Sequence, residues 1–288
     1  MFSVVVPLYN KESSIESTIQ SVLDQTFDDF ELIVVDDGST DNSAYVVDKV
    51  VDRRCRVVKK ENGGVSSARN AGILAARRDY IVFLDGDDLW SPSHLDALAR
   101  LIRNFGDSAD VFATMIVETK FHDSWDGLNG AVGDRLIDDY FKQASKPIRL
   151  LSSSSFAIRR KIVDTVGYFR EDLSYGEDVE FWHRIFKLGY KLAVTNQVTA
   201  KYRLAAENRS AGRAIPLERR FHIFDSRKAT VSEKRYFGKL VLLVISDYAR
   251  QGDFAIALVV ALRYWRSMHW VALYAVLLLL RKAGLAKY

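Results

Sequence analysis

The sequence segment that decides the fold reads ELIVVDDGSTD and spans Glu31–Asp41. It is a short, β-branched run followed at once by turn formers and helix-capping residues. Two more apolar runs, Phe2–Pro7 and Tyr80–Leu84, also lead into polar turns, the second of which is Asp85–Asp88. Between such runs the apolar residues recur at helical spacing, as in Val65–Arg77. The alternation predicts βαβ units, and therefore an α/β fold with a mostly parallel central sheet flanked by helices.

The rest of the chain continues this pattern and then changes in composition. We expect a strand over Val111–Val117 and helices over Leu136–Gln143 and Asp178–Leu188. From residue 206 the chain is first rich in arginine and lysine and then strongly apolar. The sequence therefore predicts a globular α/β domain over residues 1–205 and a basic and apolar helical extension over residues 206–288.

Composition excludes several classes of protein. The 288 residues are 48% hydrophobic and 27% charged, which excludes a disordered or low-complexity chain. Lysine and arginine number 41 against 37 acidic residues, so a net charge of +4 makes no case for nucleic acid binding. Cys55 is the only cysteine, which excludes a disulfide framework and favours a reducing, cytoplasmic setting. The first apolar residues follow no basic region, so we expect no signal peptide.

The apolar part of the extension is too short to span a membrane on its own. Its longest uninterrupted run, Trp270–Leu280, would be roughly 16 Å long as a helix. A bilayer core is about 30 Å thick. Because Arg281 and Lys282 follow the run, it favours peripheral contact with anionic headgroups. The alternative is a helical subdomain that packs on the α/β domain or on a partner subunit.

Polar residues follow every predicted strand of the first hundred residues, at the sheet edge where α/β proteins bind ligands. In Asp85-Gly86-Asp87-Asp88, carboxylates two residues apart can converge on a hard divalent cation, and Gly86 lets the backbone approach. Mg²⁺ or Mn²⁺ bound by one or two carboxylates leaves its other positions to water and phosphate. The alternative is an acidic turn that caps the helix opened by Pro92, which accounts for Asp88 but not for Asp85.

The other strand ends are compatible with a nucleotide. Asp36 and Asp37 can accept hydrogen bonds from a nucleobase or a ribose, or can cap the helix that follows. Tyr9 can stack on a base, or can be an aromatic residue at the rim of the sheet. The Gly63-Gly64 turn alone is a weak signal for phosphate, because it lacks the spacing of a P-loop or a dinucleotide fingerprint.

Taken together, five segments in this order resemble the successive motifs of family 2 glycosyltransferases. They are Val5–Asn10, Ile33–Asp41, Asn62–Gly72, Phe83–Asp88 and Gly176–Trp182. The resemblance covers residues 1–205 and implies the GT-A fold, a Rossmann-like fold that binds nucleotide-diphospho-sugars. It also implies a catalytic domain that inverts the configuration of the sugar it transfers.

The resemblance also implies roles for individual residues. The positions that would bind the nucleotide are Pro7, Tyr9, Asn10, Asp36, Asp37, Arg69, Asp85 and Gly86. The metal motif would be Asp85 and Asp87, with Mn²⁺ or Mg²⁺ as cofactor and Asp87 as the direct ligand. Asp178 would be the catalytic base, and Glu177 would help to place the acceptor or the base.

The sequence departs from the family in two ways. Members often carry a histidine after the strand that corresponds to Lys201–Arg203, where this chain has Leu204-Ala205-Ala206-Glu207, so no third protein ligand to the metal is predicted there. The Gln-x-x-Arg-Trp motif of processive members is also absent from the sequence, which favours transfer of one sugar per encounter.

We therefore expect a metal-dependent, inverting, non-processive glycosyltransferase. It would move a sugar from a nucleotide-diphospho-sugar, a UDP-sugar in our interpretation, to a hydroxyl of a glycan or lipid-linked acceptor in surface polysaccharide biosynthesis. It would act at the cytoplasmic face of the membrane, and the loops Phe121–Gly133 and Ser152–Ser155 would help to select the sugar and the acceptor. The alternatives are a sugar-phosphate nucleotidyltransferase and a catalytically silent scaffold that binds nucleotide-sugars. Oligomeric state is not predicted.

Overall fold

A computed structural model describes residues 1–119, 124–125, 128, 131–146, 149–173, 175–204 and 228–264. Its strands are β1 (Phe2–Leu8), β2 (Phe30–Asp36), β3 (Cys55–Lys59), β4 (Tyr80–Phe83), β5 (Leu89–Trp90), β6 (Val111–Thr119), β7 (Asp134–Ile137), β8 (Phe156–Arg159) and β9 (Leu192–Arg203). Its α-helices are α1 (Ile15–Leu23), α2 (Ser43–Asp48), α3 (Val65–Ala75), α4 (His94–Phe105), α5 (Tyr140–Ala144), α6 (Val163–Val166), α7 (Glu177–Lys187), α8 (Val231–Gln251) and α9 (Phe254–Tyr264). A short 3₁₀ helix, Arg160–Ile162, precedes α6.

These strands form one sheet in the order β3-β2-β1-β4-β8-β6-β9-β5, and β7 pairs with β9. The four strands β3, β2, β1 and β4 are parallel, as the alternation in the sequence predicts. The second half of the sheet is mixed, because β8 runs antiparallel between β4 and β6 whereas β6 and β9 are parallel. The central α/β sheet flanked by helices is confirmed.

The predicted helix over Leu136–Gln143 is wrong in its first half. Residues Asp134–Ile137 form β7, which pairs antiparallel with β9 so that Leu136 lies opposite Ala193. The helix α5 begins only at Tyr140, after Asp139 caps it through a hydrogen bond from the backbone N–H of Lys142 at 2.9 Å. Pairing with a strand more than fifty residues away therefore overrides the local helical spacing of the apolar side chains.

The core lies on both sides of β1, whose side chains are buried on both faces of the sheet. Phe2, Val4, Val6 and Leu8 alternate along one face and are fully buried in a cluster that includes residues of α1 and α4. Val5 points to the other face, toward α3. A Cβ built on Gly72 of α3 would lie only 2.2 Å from Cγ1 of Val5. Glycine at that position therefore lets α3 lie close to the sheet, and this close packing fixes the position of the residues that α3 carries.

The described residues fall into two compact units. The first contains the sheet and the helices packed on it. The second contains α5, α8 and α9, with the ring of Tyr236 in α8 packed at 5.7 Å from the rings of Tyr140 and Phe141 in α5. The helix α8 begins at a capping box, in which Thr230 and Glu233 each accept a hydrogen bond from the other's backbone N–H.

The extension is described only in part. Its helices α8 and α9 agree with the predicted helical character, but the boundary at residues 205–206 and the apolar run Trp270–Leu280 lie outside the described residues. Most of the loop Phe121–Gly133 also lies outside them. Within the described part of the chain, no helix combines the length and the apolar character that crossing a bilayer requires.

We expect Gly72→Ala to lower the free energy of unfolding by about 1–3 kcal/mol, because the new methyl group must displace Val5 or α3. The better helix propensity of alanine offsets only part of this cost. Urea denaturation measures the change. Leu74→Ala, at an exposed position of the same helix, is the control and should change the value by less than about 0.5 kcal/mol.

A double variant locates the cause of that effect. Val5→Ala removes both methyl groups that the new Cβ would meet, so the cost of the double variant should be smaller than the sum of the two single costs. Strict additivity would contradict the proposed contact.

Candidate active site

The strand order creates a crevice at the carboxyl ends of β1 and β4. β2 and β3 lie on one side of β1, and β4 lies on its other side. The chain therefore leaves β1 toward one side of the sheet to form β2 and β3, and crosses to the other side to form β4. Open α/β sheets bind ligands outside such a switch point. A Cβ built on Gly86 would lie 3.0 Å from the carbonyl oxygen of Pro7. The loops that follow the two strands therefore meet, and the missing side chain of Gly86 permits this close approach.

Asp37 lies beside the crevice, and its side chain is almost fully buried. Its carboxylate accepts hydrogen bonds from the backbone N–H groups of Gly63 at 3.0 Å and Gly64 at 2.8 Å, and from the amino group of Lys60 at 2.5 Å. The side chain of Asn62 donates to the backbone carbonyl of Asp37 at 3.0 Å. The Gly63-Gly64 turn thus wraps around this carboxylate and holds it in place.

The residues after β1 connect that strand to the end of β2. Asn10 has a left-handed backbone conformation, with φ of 51°, and its side-chain oxygen accepts a hydrogen bond from the N–H of Thr40 at 2.8 Å. Asp36 is buried and accepts from the N–H of Ser39 at 3.0 Å. The side chain of Tyr9 is 43% exposed beside these two residues, so its ring is accessible for stacking.

The acidic loop after β4 carries three carboxylates in three different environments. Asp85 accepts a hydrogen bond from Arg69 at 2.7 Å, and Asp87 accepts one from the amino group of Lys11 at 2.6 Å. Asp88 is buried and accepts from the hydroxyl of Ser154 and from a backbone N–H of β9. Burial and the nearby charges of Asp85 and Asp87 raise the pKa of Asp88 well above its usual value.

Asp88 does not cap the following helix, so the alternative offered for it from the sequence is wrong. The helix α4 begins after Ser93, whose side chain makes no capping hydrogen bond, and the N–H of Leu95 donates to the side-chain oxygen of Gln25 at 2.9 Å. Asp88 instead connects the acidic loop to the serine turn before β8 and to Arg203 at the end of β9. The guanidinium of Arg203 also donates to the carbonyl of Asp87, so two contacts join β9 to this loop.

Arg69 joins two acidic segments that are far apart in the sequence. Its guanidinium donates to Asp85 at 2.7 Å and to Glu177 at 2.8 Å, and the residue is only 2% exposed. Burial alone would lower the pKa of Arg69, but the charges of Asp85 and Glu177 outweigh it and hold the pKa above its usual value. The guanidinium is therefore permanently charged and compensates both carboxylates.

Asp178 lies in the first turn of α7, which begins after Gly176 in the left-handed conformation. Part of the residue is accessible, but protein atoms surround its carboxyl group. One carboxylate oxygen accepts from the N–H of Val179 at 2.7 Å, and the other accepts from the hydroxyl of Ser153 at 3.2 Å. Burial, together with the charge of Glu177, raises the pKa of Asp178 to about 6, although Arg69 opposes the shift.

The structure brings together the residues predicted for metal and catalysis. Asp85, Glu177 and Asp178 meet around Arg69, whose charge acts on all three. Asp85 and Asp87 have the hard oxygen atoms that Mn²⁺ and Mg²⁺ prefer, and the ammonium of Lys11 beside Asp87 shows that this position already attracts a cation. Within the described ranges no group of three or more His, Cys, Asp or Glu side chains forms a metal site.

Sequence reasoning missed the contacts of four residues with the acidic segments: Lys11, Ser153, Ser154 and Arg203. For Lys11 a signal exists, since it follows β1 directly and a strand end at a switch point lies beside the ligand crevice. Ser153 and Ser154 belong to a turn to which the sequence assigned only the selection of sugar and acceptor. Their contacts with Asp178 and Asp88 span 25 and 66 residues, and no local pattern encodes them.

Comparison with known proteins agrees with this fold. A family model described as glycosyl transferase family 2 matches residues 3–167. The chain is 47% identical over 102 residues to the uncharacterized glycosyltransferase EpsJ of Bacillus subtilis, which covers 35% of this chain and 30% of EpsJ. It is 27% identical over 232 residues to an Escherichia coli protein named UDP-Glc:alpha-D-GlcNAc-diphosphoundecaprenol beta-1,3-glucosyltransferase WfaP, covering 78% of this chain and 86% of WfaP.

The fold is also that of a solved transferase structure. The crystal structure of S. aureus TarS 1-349 in complex with UDP-GlcNAc matches with a TM-score of 0.67 and 19% sequence identity, over 93% of this chain and 92% of that one. The fold is thus an α/β fold of the GT-A type. Because the family model covers more than half of the sequence, the chain belongs to glycosyl transferase family 2. The chain spans about a third of the length of EpsJ, GlyG and EpsH, three of the curated relatives that it matches.

We expect Arg69→Met to lower the free energy of unfolding by about 3–5 kcal/mol, because it leaves two carboxylates without their buried partner. The loss should lie near the lower end of this range, because the side chain of Asp85 is 28% exposed and water can partly solvate its charge. Chemical denaturation measures it.

A matched control removes an exposed ion pair. Lys59→Met breaks the pair with Asp48, in which both partners are about half exposed, and should cost less than about 1 kcal/mol. An equal cost for Arg69→Met and Lys59→Met would contradict the role given to Arg69.

Proposed function

We propose that this chain is a metal-dependent, inverting glycosyltransferase that transfers one sugar from a UDP-sugar to a hydroxyl group of a glycan or lipid-linked acceptor in surface polysaccharide biosynthesis. Membership of glycosyl transferase family 2 supports sugar transfer. The name of WfaP specifies a UDP-sugar and a lipid-linked acceptor, and TarS was crystallised with UDP-GlcNAc, which supports the same classes of substrate for this chain.

The observation that carries the proposal is the placement of Asp178. A carboxylate that acts as the general base in this reaction needs a pKa near the working pH, a position on the acceptor side of the sugar, opposite the leaving group, and no ion pair of its own. Asp178 has a pKa of about 6, and Glu177 beside it takes up the ion pair with Arg69. The N-terminus of α7 favours the ionised form of Asp178.

In the proposed reaction Asp178 accepts the proton of the acceptor hydroxyl while that oxygen attacks the anomeric carbon. The bond from the anomeric carbon to the diphosphate breaks on the opposite face, so one displacement inverts the configuration. Glu177 helps to place the acceptor or the base. A divalent cation held by Asp87 and Asp85 would neutralise charge on the departing diphosphate.

The remaining proposed contacts concern the nucleotide. Tyr9, Asp36 and Asp37 lie at the ends of β1 and β2, where the nucleoside would bind, with Asn10 and Pro7 shaping the same edge. Arg69 would act on the phosphates through the carboxylates that it holds, and Gly86 would let the backbone approach them.

A sugar-phosphate nucleotidyltransferase is disfavoured, because the family match identifies a glycosyltransferase. A catalytically silent scaffold that binds nucleotide-sugars is the remaining alternative, and one substitution distinguishes the scaffold from an enzyme.

We expect Asp178→Asn to abolish UDP release from the UDP-sugar used by the wild type, because the amide cannot accept the proton. A thermal-shift series with UDP-sugars and Mn²⁺ should give the same stabilisation for variant and wild type. A screen of UDP-, GDP- and dTDP-sugars selects the donor.

The wild-type rate should also depend on pH. Above a pH of about 6 Asp178 is ionised and competent as a base, so kcat should fall as the pH drops through that value. Asp164→Asn, an exposed change at the start of α6, is the matched control and should leave the rate and the pH profile unaltered.

Two outcomes would contradict the proposal. Full turnover by Asp178→Asn would exclude Asp178 as the base, and the absence of stabilisation by any donor with Mn²⁺ would count against the site.

The second unit supports peripheral membrane contact at the cytoplasmic face. In α9, five apolar side chains are at least one third exposed: Phe254, Ile256, Leu258, Val259 and Leu262. The small residues Ala257 and Ala261 on the other face are buried. An apolar helix face of this kind can insert at a lipid surface, and the basic residues of the C-terminal sequence would add attraction to anionic lipid.

We expect the full chain to sediment with vesicles that contain phosphatidylglycerol and to do so less with pure phosphatidylcholine. Leu262→Glu should reduce this binding severalfold, because it places a charge on the exposed face of α9. Leu74→Glu adds the same charge at an exposed position of α3 and should not. Equal binding of the two variants would contradict membrane contact through α9.

A further inference from the structure

The turn Ser152–Ser155 lies where both acidic segments of the site come together. It is closed by a hydrogen bond from the N–H of Ser155 to the carbonyl of Ser152 at 3.0 Å, and it leads directly into β8. Because β8 runs antiparallel to β4, the beginning of β8 lies at the carboxyl end of β4. This reversal places a turn from the second half of the domain against the acidic loop that follows β4.

Two adjacent hydroxyl groups of this turn serve two different acidic residues. The hydroxyl of Ser154 donates its single hydrogen to Asp88 and accepts a hydrogen bond from the N–H of Asp85 at 3.1 Å. The hydroxyl of Ser153 donates to Asp178 at 3.2 Å. One dipeptide unit therefore connects the acidic loop to the first turn of α7.

We propose that Ser153 is a positioning residue for Asp178: its hydroxyl fixes the plane of the carboxylate and favours the ionised form. This inference rests on the proposed function of Asp178 as the base. The N–H of Val179, within the same helix, holds only one carboxylate oxygen, so the group can still turn about that contact. Ser153 holds the other oxygen from a different element of the fold, and two donors on two oxygens define the orientation.

The electrostatic surroundings make this uncharged donor important. The charged groups that act on Asp178 are Glu177 of the same helix, Arg69 of α3 and Asp85 of the loop after β4. Arg69 directs its hydrogen bonds to the other two carboxylates, so its charge acts on Asp178 without a direct bond. Ser153 is only 8% exposed, which limits replacement of its hydrogen bond by water.

The first test measures Asp178 itself and needs no substrate. Aspartate labelled with ¹³C at Cγ gives one carboxyl resonance per residue, and the resonance lost in Asp178→Asn identifies Asp178. In Ser153→Ala the titration midpoint of Asp178 should rise by about one pH unit, because a hydrogen bond to the charged form lowers a pKa. Ser155→Ala is the matched control: within the described part of the chain its hydroxyl donates to the carbonyl of Ser152 and to no carboxylate, so the midpoint should not move.

The second test measures UDP release from the donor found in the screen described above. In Ser153→Ala the acid limb of the kcat profile should move upward with the midpoint. We expect kcat to fall about threefold at pH 6.5 and hardly at pH 8, with an unchanged KM for the donor, because a midpoint one unit higher lowers the ionised fraction by that factor. An unmoved midpoint, an unmoved profile or the same change in Ser155→Ala overturns the role of Ser153. If the wild type releases UDP from no donor, the proposed function fails instead, and the NMR midpoints still decide whether Ser153 stabilises the ionised form of Asp178.

Discussion

The site depends on one buried cation, the guanidinium of Arg69. Carboxylates repel one another, and two segments that each carry acidic residues meet at the same sheet edge only if that repulsion is compensated. Arg69 supplies the compensation with one hydrogen bond to Asp85 and one to Glu177. Its own position follows from Gly72, three residues further along α3, which allows the helix to lie close to β1. A packing constraint and an electrostatic constraint are therefore satisfied by the same helix.

Identical side chains take different roles because their surroundings differ. Asp88, buried beside two carboxylates, has a strongly raised pKa and serves to connect the acidic loop with neighbouring elements. Asp87 has an ammonium partner in Lys11, and 14% of its side chain is exposed. Asp178 lies between these extremes, with a pKa of about 6 that suits a group that takes up and releases protons near neutrality.

The sequence predicts the parts of this molecule that local pattern encodes. The parallel strands β1 to β4 were predictable because each is a short apolar run closed by a polar turn. The family's motifs led to the proposal of Asp85, Asp87 and Asp178 as site residues. The strand β7 was not, because its pairing with β9 overrides a helical spacing. Nor were the contacts of Ser153 and Ser154, since they depend on the antiparallel direction of β8, which no local pattern specifies.

The sequence distance between the partners of Arg69 has a consequence for synthesis of the protein. Asp85 follows it by 16 residues, whereas Glu177 follows it by 108. A chain emerging from the ribosome therefore has Asp85 available early, while the first βαβ units are forming, and must fold for a long interval before Glu177 exists. During that interval the guanidinium of Arg69 has only Asp85, one of its two carboxylate partners, available. The acidic centre is complete only once nearly the whole sheet has been made, so a truncated product keeps the motifs of the first strands but lacks the arrangement that makes them a site.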